Sequence, residues 1–63
     1  MARKEMIYSV DKETNTIVRV SKTYLAAIQF ADESVYVCTS VFQDLKKGDV
    51  MVDVVDILES KGN

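Results

Sequence analysis

The residue types that ordinarily do chemistry are sparse in this chain. Histidine is absent and Cys38 is the single cysteine, so the commonest general base and metal ligand is missing. Cys38 has no imidazole to draw off its proton. It stands beside Tyr36 and Val37 in a run of strand character, which reads as a small half-buried side chain rather than a reactive thiol. One cysteine without histidine cannot fill a tetrahedral zinc site.

Carboxylates are the remaining candidates. Asp49, Asp53 and Asp56 approach a periodic set, and Asp32 and Glu33 stand at a turn tip. No D-x-D-x-D-G loop of the calcium-binding kind occurs. Asp53 and Asp56 read as charges that keep a valine-rich strand soluble and discourage edge pairing. The two glycines, Gly48 and Gly62, are too far apart to form a phosphate-cradling loop. The expectation is a chain with no catalytic residues, metal or cofactor of its own, which works by binding.

Basic side chains offer a different chemistry. Residues 1–30 carry five basic and three acidic side chains, residues 31–63 three basic and seven acidic, and the whole chain is at −2. An acidic chain lacks the broad positive footprint that dominates nucleic-acid affinity. A small basic edge of Arg3, Lys4, Arg19 and Lys22, with Tyr8 or Tyr24 for stacking, keeps single-stranded nucleic acid as the alternative ligand. Glu5 lies in the same cluster, and the strand registers place both tyrosines inward.

The elements that would position these residues are short. Residues 5–10 alternate, with Met6, Tyr8 and Val10 on one face. Residues 11–15 form a turn cluster in which Asn15 tolerates positive φ, and 16–20 alternate again with β-branched residues. Pairing Val10 with Thr16 sets Tyr8 against Val18 and Met6 against Val20. Residues 22–31 are ambiguous. Ser21 is a cap candidate and Leu25-Ala26-Ala27-Ile28 has helix propensity. The strand is preferred, because Phe30 against Val35, Ile28 against Val37 and Ala26 against Thr39 give one apolar face in register. Ser40 and Gln43 have the spacing of a capping box, which predicts a short helix over 41–47 ending at Gly48. Residues 50–57 then alternate as a last strand, with the sense broken at Val54-Val55 as at a bulge.

Five short strands with tight connections predict a mainly β, antiparallel meander or barrel of SH3-like or OB-like type, with one short helix or 3-10 turn before the last strand. Leu45-Lys46-Lys47-Gly48-Asp49-Val50 looks like the turn that opens a strand in many such barrels. A chain of 63 residues makes one small domain with a thin stability margin, and residues 1–4 and 60–63 are expected to fray. No apolar run spans a membrane and no secretory leader pattern is present. A lone thiol suits a reducing compartment, so the cytoplasm is the expected location.

These registers leave apolar side chains on both faces. With Tyr8, Val10, Val18, Val37, Val50 and Val52 inward, the opposite face carries Ile7, Ile17, Leu25, Ala27, Tyr36, Met51 and Val55. A one-layer antiparallel sheet should be polar there. Either internal elements cover this second face or another protein does. The expected function is therefore a small protein-binding module (accessory subunit, adaptor or inhibitor). Its contact residues would be Ile7, Ile17, Arg19, Leu25, Tyr36 and Met51, and its partner another protein or a second copy of itself. On this reading Met51→Lys leaves the fold intact.

Overall fold

The computed structural model describes residues 6–60. Four strands and one helix follow in the order β1 (Ile7–Asp11), β2 (Ile17–Ser21), α1 (Tyr24–Ile28), β3 (Val35–Ser40) and β4 (Val54–Ser60). The strands form one open antiparallel sheet in the order β2-β1-β3-β4. The architecture is mainly β, as the alternation predicts. The sheet has four strands, where five were expected.

The turn between β1 and β2 sets the register. Asp11 accepts from the Glu13 and Thr14 amides through its Oδ1, an Asx turn of the kind short polar side chains make with their own backbone. Asn15 takes φ 61°, the left-handed conformation anticipated for it. Its amide donates to the Asp11 carbonyl at 2.7 Å, and the Asp11 amide donates to Thr16 at 2.9 Å. The loop thus closes one residue later than the Val10–Thr16 pairing. Val10 lies opposite Ile17 and Tyr8 opposite Val20, with a register shift between Ser9 and Val10. That slip turns Ile17 inward and Val18 outward, the exchange a period-2 strand must show. Ile17 is fully buried and Val18 is exposed.

Residues 24–28 are helical, which overturns the strand expected over 22–31. Thr23, not Ser21, is the cap: it has extended φ and ψ, and its Oγ1 accepts from the Ala26 amide at 3.2 Å. The small side chains decide the packing. Ala27 in α1 and Ala31 in the turn that follows it are buried against Ile7 and Val37. α1 thereby covers one face of the sheet. The expected turn after it is present: Asp32 and Val35 exchange backbone hydrogen bonds of 3.2 Å, and Asp32 Oδ1 accepts from the Ser34 amide and hydroxyl.

The helix expected over 41–47 does not form among the described residues. The residues of the supposed capping box are engaged elsewhere: Gln43 Oε1 accepts from the Met6 amide and its Nε2 donates to the Ser40 carbonyl. Ser40 Oγ donates to the Val52 carbonyl at 2.7 Å. Residues 41–53 instead wrap the other face of the sheet.

The long valine run is also divided. Gly48 turns the chain with φ 98°, and residues 48–50 dock on the outer edge of β2 through the Gly48–Ile17 and Ile17–Asp49 backbone bonds, both 2.8 Å, and the Thr16–Val50 bridge. Met51 is clamped to Asn15, which receives its amide and donates Nδ2 to its carbonyl. Asp53 breaks the alternation with φ 51°, and only then does β4 begin. The bulge read at Val54-Val55 is present, with Val55 the extra residue where the β3 ladder shifts between Thr39 and Ser40, and the crossover from one edge of the sheet to the other comes just before it.

Two cores result. Tyr8, Val10, Ile17, Cys38 and Met51 form one, flanked by Met6, Val20, Tyr36 and Leu45. Ile7, Ala27, Ala31 and Val37 form the other, flanked by Leu58. Among the described residues no helix is long and apolar enough to cross a membrane.

Candidate functional site

The six residues expected to meet a partner do not form one surface. Ile7 lies under α1, while Ile17 and Met51 lie in the core on the opposite side of the sheet, all three buried. This corrects their assignment to an exposed face: the chain covers that face itself. Tyr36 is half-buried against the Tyr8 core, and its hydroxyl donates to Asn15 Oδ1 at 3.3 Å. Leu25 is 71% exposed, on the outside of α1. Arg19 is exposed on β2. Of the alternative nucleic-acid edge, Lys22 is exposed after β2, whereas Arg3 and Lys4 lie outside the described residues.

The apolar surface that remains open is on β4. This strand is bonded only to β3 among the described strands and stands at the edge of the sheet. Val54, Val55 and Ile57 are 41%, 55% and 61% exposed. Its ladder with β3 shifts register twice, between Val37 and Cys38 and between Thr39 and Ser40. The extra residues opposite those shifts are Leu58 and Val55. Bulges re-aim side chains and raise local twist, and both of these line a groove of about 570 Å³ with Ile7, Tyr24 and Val41. Tyr24, the first residue of α1, reaches across to Glu59 with a hydroxyl-to-carboxylate distance of 3.4 Å. The groove is thus walled by the helix on one side and by the edge strand on the other.

A second groove, of about 480 Å³, lies at the opposite edge. Val18, Val20 and Leu45 form its apolar part, and Arg19, Lys46 and Lys47 its charged part. The Arg19 guanidinium sits 3.7 Å from the centroid of the Phe30 ring, a cation–π arrangement that holds the long side chain in place. Among the described residues no ion pair engages Arg19, Lys46 or Lys47. Asp44 and Asp49 flank the two lysines in sequence, and the Asp49 carboxylate accepts from the Lys46 backbone amide. The two lysines were missed as partners of Arg19 because they join it only through the docking of 48–50 on β2.

Neither protein-family models, nor curated proteins, nor solved structures give a match to this chain. Its function must be read from the surface itself.

The interior carries little chemistry. Cys38 is buried on β3 between β1 and β4, and burial pushes its thiol up from the ordinary value of 9.0 to about 11. The thiol is protonated at pH 8, so a thiol-specific disulfide reagent is expected to label the native protein slowly and the urea-unfolded protein at once. Fast native labelling at pH 8 would count against this packing. Because the folded value lies above the unfolded one, this group's contribution to stability is fully present below about 9 and is lost as pH rises towards 11. Burial likewise raises Tyr8 and, less deeply placed, Tyr36. Asp32 is lowered, chiefly by the Ser34 hydroxyl hydrogen bond. Among the described residues no three His, Cys, Asp or Glu side chains converge as a metal site requires.

Proposed function

We propose that this chain is a small non-enzymatic protein-binding module that recognises an extended segment through β4. The observation that carries the reading is the edge itself: a seven-residue strand with Val54, Val55 and Ile57 open to solvent and no neighbour on its outer side among the described strands. Strand addition supplies main-chain hydrogen bonds for affinity, and pockets for alternate side chains supply specificity. The groove behind Val55 and Leu58 is such a pocket. Leu25 and Tyr24 on α1 extend the same apolar surface.

Exposed edges are ordinarily blunted by short length, proline or inward-pointing charge. β4 has two carboxylates, Asp56 and Glu59, but no proline and no lysine. The other edge of the sheet is partly closed by residues 48–50. Among the described residues, part of one edge is covered and the whole of the other has no neighbour.

The test is Ile57→Lys. The side chain is 61% exposed, so the variant is expected to melt within a few degrees of the wild type. It should lose at least about tenfold in affinity for any protein retained by the immobilised wild type, equivalent to about 1.4 kcal/mol. Partner addition should also slow amide exchange across residues 54–60. Equal retention by wild type and variant, with no protection of β4, sinks the reading.

A further inference from the structure

The two sheet edges of this chain are complementary to one another. Residues 48–60 contain four carboxylates, Asp49, Asp53, Asp56 and Glu59, and no basic residue. The groove beside β2 is lined by Lys46 and Lys47 with Val18, Val20 and Leu45, and by Arg19, whose guanidinium rests on the Phe30 ring. β4 carries the matching features: exposed Val55 and Ile57 flank Asp56, and Glu59 lies two residues on. An extended acidic and apolar segment is the chemistry this groove would recognise.

Strand direction makes the same match. β1 and β4 run one way, β2 and β3 the other, in the order β2-β1-β3-β4. A second copy placed in the same orientation beyond β2 presents its β4 antiparallel to β2. The alternation of the sheet then continues unbroken from copy to copy. Residues 48–50 cover β2 at Thr16 and Ile17, and no further bridge joins them to β2 among the described residues. The edge beside Val18, Arg19 and Val20 is where the groove opens.

From this we infer that the partner of β4 is the Arg19–Lys46–Lys47 groove of a second copy, giving a head-to-tail association. The inference rests on the reading of β4 as the binding strand and names its occupant. The two-fold alternative, β4 against β4, sets the acidic stretch of each copy beside the other's, and like charges across a strand pair are unfavourable. A heterologous contact of this kind does not close on itself within two copies, so it builds rings or open chains. The edge left open on β2 is short, and the contact is correspondingly weak against the roughly 800 Å² per partner of a standard interface.

The experiment is sedimentation of three proteins over loadings spanning the micromolar to millimolar range. Wild type is expected to associate with rising concentration, and several-fold less as salt rises from 0.1 to 1 M, where the screening length falls from about 10 to about 3 Å. Ile57→Lys blocks the strand, and Lys46→Glu/Lys47→Glu reverses the groove. Both substitute exposed residues, and circular dichroism checks that each folds. Alone, each should stay monomeric. Mixed, they should form a 1:1 heterodimer, because one retains an intact groove and the other an intact β4. Self-association of Lys46→Glu/Lys47→Glu overturns the inference in favour of the two-fold pair. A wild type that stays monomeric at every concentration overturns it and leaves the groove to an acidic segment of another protein. An oligothymidylate bound by wild type and lost in Lys46→Glu/Lys47→Glu overturns it in favour of nucleic acid. In each of these cases β4 keeps its own test, since retention of a different protein would still depend on Ile57.

Discussion

Replacing Tyr8 with alanine is expected to leave the domain largely unfolded near its working temperature. Tyr8 is fully buried on β1, which is bonded on both sides, where it faces Val20 on β2 and Cys38 on β3. Its ring fills the middle of the core that also holds Val10, Ile17 and Met51. Its hydroxyl donates to the Phe42 carbonyl at 3.1 Å and so ties the 41–53 wrap to the sheet. Truncating a buried aromatic to alanine costs about 3–5 kcal/mol. A chain of this length has about 3–9 kcal/mol in all, at roughly 0.05–0.15 kcal/mol per residue. The ring alone therefore accounts for about a third of the largest such margin and all of the smallest. Tyr8→Phe separates the two contributions: it keeps the ring, loses one hydrogen bond, and should cost about 1 kcal/mol. Thermal denaturation followed by circular dichroism reads both. A Tyr8→Ala melt within a few degrees of wild type would remove Tyr8 from the core.

Met51→Lys carries the second large effect, and its sign is opposite to the one the alternating pattern implies. Strict alternation over 50–57 puts Met51 beside Asp53 on an outer face, where lysine is harmless. In the structure Met51 is 3% exposed, packed in the Tyr8 core, with its backbone held at both ends by Asn15. A lysine there must carry its charge into an apolar site or pull the 48–53 segment away from β2 to reach water. Either way the urea midpoint should fall steeply, by several kcal/mol equivalent of stability. Met51→Leu, close in volume, should cost under about 1.5 kcal/mol. If Met51→Lys unfolds at the wild-type midpoint, the wrap does not seal this face.

What the sequence made legible was whatever local chemistry determines. The β1–β2 turn was readable because Asp11 bonds its own backbone and Asn15 tolerates the positive φ it adopts. The turn at Asp32 and Ser34 was readable for the same reason, as was β3, dense in β-branched and aromatic residues. The failures are tertiary. The alanines of residues 24–31 favour a helix, but the apolar pairs in register with 35–39 pointed to a strand. The choice falls to the helix because Ala27 and Ala31 are small enough to let it lie directly on Ile7 and Val37. Ile17 and Val18 exchanged faces because the turn closed one residue later than the pattern required. The valine run looked like one strand because nothing in its composition reveals that Asp53 adopts φ 51°. The apolar side chains read as one outer face are divided between both: Ile7 and Ala27 are buried under α1, Ile17 and Met51 in the core across the sheet, and Leu25 and Val55 stay exposed. The basic groove was invisible until residues 48–50 brought Lys46 and Lys47 beside Arg19.

The irregular ladder between β3 and β4 has a consequence for how firmly the molecule holds its own parts. β1 is bonded to a strand on each side, whereas β4 hangs from one neighbour by a ladder interrupted at two places. Local opening follows such differences, and segments with few buried apolar contacts detach at a fraction of the global unfolding free energy. β4 is therefore the part that opens first and recloses while the two cores stay intact. Any chain that pairs with its outer side must hold it shut, so occupancy would be felt as a stiffening of the C-terminal third of the protein. The strand proposed to bind and the strand held by a single interrupted ladder are the same seven residues.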